Sequence, residues 1–94
     1  MQTIEIDVAN RSGLHARPAA TFVKKAASFR SDIRVENLTR TTKPASAKSL
    51  LGVLGCGVEQ GHRIRVTAEG EDEEAAIEAL RVLAEGGFGE ATQA

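Results

Sequence analysis

The chain has 94 residues, 41% hydrophobic and 27% charged, with twelve basic and thirteen acidic side chains. That length gives one domain with one modest core, and the composition excludes a collagen, a coiled coil and a disordered tail. A single cysteine, Cys56, excludes an internal disulfide framework, and the longest run without charge or strong polarity, Ser49 to Val58, is too short to span a bilayer. The first residues have neither the basic nor the apolar region of a signal peptide, so a cytoplasmic location is expected. With no Trp, no Tyr and three Phe, the core has to be built from Ala, Val, Ile and Leu. Charge is uneven: residues 1–48 hold nine basic and four acidic side chains, residues 49–94 three basic and nine acidic. Such asymmetry fits a directional partner surface, or two solvated faces that merely differ.

Ile4, Ile6 and Val8 alternate with Glu5, Asp7 and Ala9, which predicts a half-buried first strand. Asn10-Arg11-Ser12-Gly13 breaks it as a turn. A helix is expected from Ala16 to Ala27, with Pro18 in the first turn, where a missing N–H costs nothing. Ala19, Phe22, Val23 and Ala26 form its apolar face, and Arg17, Ala20, Thr21 and Lys24 the opposite, exposed one. Ile33 and Val35 begin a second strand that ends between Asn37 and Arg40, where Leu38 breaks the alternation. A third strand fits Thr41 to Ser46, confined to an edge by Pro44. Ser49 can cap a short helix through Leu50, Leu51, Val53 and Leu54, stopped by Gly55 and Gly57. His62, Ile64, Val66 and Ala68 alternate as a fourth strand. The last helix opens in the acidic turn Glu71 to Glu74, presents Ala76, Ile77, Leu80, Leu83 and Ala84, and ends at Gly86-Gly87. The order is β-α-β-β-α-β-α. Its economical solution is an α+β fold, a four-stranded antiparallel sheet with helices on one face, over residues 1–90 with a frayed tail at 91–94.

The chemistry concentrates in Ser12-Gly13-Leu14-His15-Ala16-Arg17-Pro18. His15 lies where a Gly-containing loop meets a helix N-terminus, whose unpaired N–H groups attract anions. Arg17 can neutralise an anion held there. A nucleophilic ring nitrogen, a cation and a helix terminus together suit phosphoryl transfer, although a histidine there can also serve only as a helix cap. His62, Cys56 and the remaining residues give no metal-ligand spacing. His62 reads as a partly buried strand-end residue and Cys56 as a small hydrophobe. Gly52-Val53-Leu54-Gly55 has the spacing of a nucleic-acid clamp but no charge between the glycines, and no exposed aromatic supplies stacking.

The segment Gly13-Leu14-His15-Ala16-Arg17-Pro18-Ala19 resembles the active-site signature of HPr, the histidine-containing phosphocarrier family of the bacterial phosphoenolpyruvate-dependent phosphotransferase system. Ala45-Ser46-Ala47-Lys48-Ser49-Leu50-Leu51 and Ala68-Glu69-Gly70-Glu71-Asp72-Glu73 are similar to two further motifs of that family, in the same order. The resemblance implies an open-faced β-sandwich of order βαββαβα. It also implies a relay in which Enzyme I phosphorylates His15, at Nδ1 in the family, and a IIA domain receives the group. By the same resemblance Arg17 compensates the phosphate charge, Pro18 fixes the helix start, and Ser12 and Ala16 belong to the active-site loop. Ser49 matches the serine that a dedicated kinase modifies in many Gram-positive members, though enteric members keep it without that use. Ala20, Thr21 and Lys24, with Leu50, Leu51 and Leu54, match the surface that docks both partners. A monomeric carrier is expected, with no cofactor or metal of its own, no nucleic-acid partner and no membrane insertion.

Asn37 to Pro44 is about three residues longer than the turn usual in the family. It resembles HPr-like domains of multidomain phosphotransferase proteins, and its effect on the downstream acceptor stays open. A branch serving dihydroxyacetone kinase or nitrogen metabolism, and a regulatory binding module controlled through Ser49, are the alternative roles.

Overall fold

A computed structural model describes residues 1–90 of the chain, so the fraying expected at 91–94 lies outside the described residues. The strands are β1 (Gln2–Asp7), β2 (Asp32–Asn37), β3 (Ala45–Ser46) and β4 (Arg63–Glu69). The helices are α1 (Ala16–Ala27), α2 (Leu50–Gly55) and α3 (Glu73–Glu85), and a 3₁₀ turn follows at Gly87–Gly89. The strands form one antiparallel sheet of order β1-β4-β2-β3.

Register sorts the side chains onto two faces. Ile6 stands opposite Ile64, Ile4 opposite Val66, and Val35 opposite Val66 on the other side of β4. These residues face the helices and join Phe22, Leu14, Val53 and Leu80 in one core. The other face is bare and charged. Arg63 pairs with Glu5 and Asp7, and Arg65 pairs with Glu5 and Glu36, so opposite charges meet across strands. This is the open-faced α+β sandwich expected from the sequence.

The boundaries show where local pattern yields to tertiary contacts. Helix α1 falls on the expected span, with Ala19, Phe22 and Ala26 fully buried. Strand β3 keeps only two of its six expected residues. Thr41 adopts φ +54° and Pro44 offers no N–H, so pairing with β2 starts only at Ala45. Strand β4 begins at Arg63 rather than His62. Phe88, at φ +55°, lies buried with its ring edge-on to Phe22 at 5.8 Å, closing the core from the C-terminal side.

Asp72 precedes α3 but does not cap it with its side chain. Its carboxylate instead accepts from the Ser31 hydroxyl and from the N–H groups of Arg30 and Ser31, tying the head of α3 to the start of β2. These bonds lower its pKa to about 2 from 3.8, the Ser31 hydroxyl contributing most. A depressed carboxylate pKa stabilises the fold above the unfolded-state value and loses that stability as pH falls through the folded one. We expect Asp72→Asn to lower the melting temperature at pH 7. It should also flatten the acid limb of a Tm-against-pH curve between about pH 4 and pH 2, measured by circular dichroism.

The candidate phosphoryl-acceptor site

The loop before α1 is held in place from both sides. Leu14 N–H donates to the Val58 carbonyl at 3.0 Å, and Gly13 N–H to the Asn10 carbonyl at 3.1 Å. Gly13 has φ +61°, and a Cβ built on it would lie 2.2 Å from the Val58 carbonyl oxygen and 2.9 Å from Glu59 Cα. Only glycine allows this approach of two backbones. Asn10, fully buried, donates through Nδ2 to the Gly13 carbonyl and to Glu90 Oε1. Glu90 also accepts from the Ser12 N–H at 2.9 Å and from the Ser12 hydroxyl at 2.5 Å, so the end of the described chain clips the loop. The Ser12 bonds, with Asn10 behind them, hold the Glu90 carboxyl below its ordinary pKa.

His15 emerges from this loop as the N-cap residue of α1, with its side chain about one third exposed (36%) and making no capping bond. Its Nε2 donates to Glu59 Oε2 at 2.9 Å, and among the described residues its Nδ1 has no hydrogen-bond partner. Ala16, next along, has φ +52°, a left-handed backbone that costs an alanine about 1–2 kcal/mol. Pro18 is buried in the first turn. Arg17 is exposed and, among the described residues, enters no ion pair.

Helix α2 packs beside α1. Arg17, Ala20 and Lys24 are exposed on α1, while Thr21 is half-buried near Gly89. On α2, Leu51 is 82% exposed and Leu50 44%, whereas Leu54 turns partly into the core. Ser49 caps α2, its Oγ accepting from Gly52 N–H at 3.0 Å, and remains exposed. Two helices thus present an apolar patch next to cationic side chains, the composition of a transient docking surface.

Glu59, Glu90, Asn10 and Asn37 carry no periodic signal, and the sequence pattern does not single them out. Asn37 is buried, donating to the Cys56 carbonyl and to His62 Nδ1, while its Oδ1 accepts from Thr39 and Arg40 N–H. His62 is part-buried, as expected for a strand-end residue. Cys56 is buried, and that burial raises its thiol pKa. The long segment after β2 folds back so that the Arg40 side chain covers Gly57, on the loop that carries Glu59.

The topology and the histidine-bearing loop together define a phosphocarrier-type domain. A family described as "PTS HPr component phosphorylation site" matches residues 2–85. The chain belongs to the HPr family of the phosphotransferase system, whose members work through a phosphohistidine. It is 48% identical over 83 residues to the multiphosphoryl transfer protein of Haemophilus influenzae, a match covering 88% of this chain and 17% of that protein. It is 43% identical over 83 residues to the phosphocarrier protein HPr of Lysinibacillus sphaericus, covering 88% of this chain and 91% of that one. Its fold superposes on the crystal structure of HPr-C-His from Thermoanaerobacter tengcongensis with a TM-score of 0.90, at 47% identity, over 98% of this chain and 100% of that chain. The chain therefore spans less than a quarter of the multiphosphoryl transfer proteins it matches. No helix among the described residues is long and apolar enough to cross a membrane.

Proposed function

We propose that this chain is a monomeric cytoplasmic phosphocarrier domain, spanning residues 1–90, that accepts a phosphoryl group on His15 Nδ1 from phosphorylated Enzyme I and passes it to a IIA-type acceptor. It is a relay intermediate, not a stand-alone turnover enzyme. The observation that carries this reading is the placement of His15: partly exposed at the head of α1, its Nδ1 unbonded among the described residues, with an unpaired Arg17 two residues on. In the transfer, the Nδ1 lone pair forms the new bond to phosphorus while the donor's bond to phosphorus breaks, its electron pair leaving with the donor atom. The Arg17 guanidinium offsets the charge of the arriving phosphoryl oxygens. Ser12, Ala16 and Pro18 hold the loop and the helix start around the acceptor.

Incubation with phosphoenolpyruvate, Mg²⁺ and purified Enzyme I, followed by intact-mass measurement, tests the proposal. The expected result is one added, acid-labile phosphoryl group. A folded chain that gains none from a cognate Enzyme I overturns it.

Leu50, Leu51 and Leu54, with Ala20, Thr21 and Lys24, form the docking surface in this reading. Truncating a central apolar anchor costs roughly 1–2 kcal/mol of binding, about tenfold in affinity. Leu51→Ser should therefore weaken Enzyme I binding about tenfold in a calorimetric titration, with little change in Tm because Leu51 is exposed. Phosphorylation of Ser49 by a serine kinase would set negative charge beside the same leucines. Ser49→Asp should lower the same affinity, and unchanged binding would speak against Ser49 as a control point.

The long segment 37–44, which resembles HPr-like domains of multidomain phosphotransferase proteins, favours service in a multidomain relay, while overall identity is the same to multiphosphoryl transfer proteins, 46–48%, as to the HPr-C-His chain, 47%.

A further inference from the structure

We infer that Glu59 is a positioning residue for phosphoryl transfer: its carboxylate keeps the His15 ring proton on Nε2 and so leaves Nδ1 as the lone-pair nitrogen. The inference rests on His15 being the acceptor and adds what selects the reacting atom. A neutral imidazole can carry its proton on either nitrogen, and only the bare one can attack phosphorus. A carboxylate only accepts, so its 2.9 Å contact with Nε2 requires the proton there.

Glu59 is set opposite His15 by backbone, not by its side chain alone. Leu14, before His15, donates to the carbonyl of Val58, before Glu59. Gly61 N–H donates to the Val8 carbonyl at 2.7 Å and Val8 N–H to the His62 carbonyl at 2.8 Å, joining the same two segments again. The Glu59 N–H donates to His62 Nδ1 at 3.1 Å, and Asn37 Nδ2 donates to that same nitrogen at 3.1 Å. Two donors on Nδ1 make it the acceptor of the His62 ring, with the proton on Nε2. His62 thus braces the Glu59 backbone, and Glu59 braces His15.

This arrangement suits the transfer step. As Nδ1 bonds to phosphorus, the donor's bond breaks with its electron pair leaving on the donor, and the Nε2 proton stays where Glu59 holds it. The ring then carries positive charge facing the carboxylate. The imidazole stands between that carboxylate and the phosphoryl group, which limits their repulsion.

The test reads the His15 ring directly by long-range ¹H–¹⁵N correlation in the wild type, Glu59→Ala and Glu59→Gln. We expect the Nε2–H tautomer to dominate in the wild type. In Glu59→Ala the ratio should shift toward Nδ1–H by about three- to fivefold, the scale of one exposed charged bond. Glu59→Gln should give an intermediate ratio, because its amide oxygen can accept from Nε2–H but its amide NH2 can equally donate to a bare Nε2. Modification with potassium phosphoramidate gives a second readout: phosphorus on Nδ1 in the wild type, and on both nitrogens in Glu59→Ala. An unchanged tautomer ratio in Glu59→Ala overturns the role of Glu59 and leaves the carrier reading standing. Failure of phospho-Enzyme I to modify the wild type overturns the carrier reading, and a separate assay detects it.

Discussion

We expect His15→Ala to abolish phosphoryl acceptance while leaving the fold standing. The side chain makes no capping bond to α1, so its removal leaves the helix start intact. The interaction it loses is the partly exposed pair with Glu59, worth about 0–1 kcal/mol. For a domain of this size 1 kcal/mol shifts Tm by roughly 4–8 °C, so the variant should melt within about 8 °C of the wild type. Acceptance from phospho-Enzyme I should fall to background, because among the described residues no second histidine stands beside that position: His62 is committed through Nδ1 to Asn37 and the Glu59 N–H. Quenched-flow labelling with radioactive phosphoenolpyruvate, paired with a thermal melt by circular dichroism, reads both effects. Retained acceptance would remove His15 from the account. Loss of acceptance together with a large drop in Tm would assign the residue a structural role instead.

Gly13→Ala has the opposite profile, a loss of stability that takes the site with it. The new Cβ would sit 2.2 Å from the Val58 carbonyl oxygen in a backbone at φ +61°. Left-handed strain and overpacking cost about 1–3 kcal/mol each, so a loss near 3 kcal/mol or more is expected. That is a large share of the roughly 5–14 kcal/mol available to a chain of this length. Any relaxation has to lengthen the Leu14-to-Val58 hydrogen bond, which spaces His15 from Glu59. Urea denaturation should show a lower midpoint at unchanged slope, and phosphoryl acceptance should fall as well. Gly55→Ala is the matched control: a Cβ there meets nothing within 4 Å, and helix propensity makes the change neutral or stabilising.

The fold was legible because its elements are amphipathic on their own scale. Ala19, Phe22 and Ala26 repeat with the helical period, and Ile64, Val66 and Ala68 with the strand period, so one local window sufficed for each. Ser49 was recognisable as a cap because a serine before an apolar turn satisfies an N–H within three residues. The site was half legible. His15, Arg17 and Pro18 lie within four residues, so one local window suggests an anion site, and the resemblance of that window to HPr, not its spacing alone, points to a phosphoryl acceptor. Glu59 meets His15 across 44 residues and Glu90 meets Ser12 across 78, and each stands on a segment without periodicity. Such pairings depend on which loops the sheet order brings together, with β4 between β1 and β2, and no local pattern encodes that. Asp72 shows the same limit. An acidic residue ahead of a helix reads as complementing the dipole, yet its carboxylate is used to fasten β2.

The most direct measurement is the ³¹P and ¹⁵N NMR spectrum of ring-labelled protein loaded by phosphoenolpyruvate and Enzyme I. The account predicts a single acid-labile phosphorus coupled to His15 Nδ1, with Nε2 still protonated against Glu59. Phosphorus on Nε2, or on the Ser49 hydroxyl with His15 untouched, would contradict it.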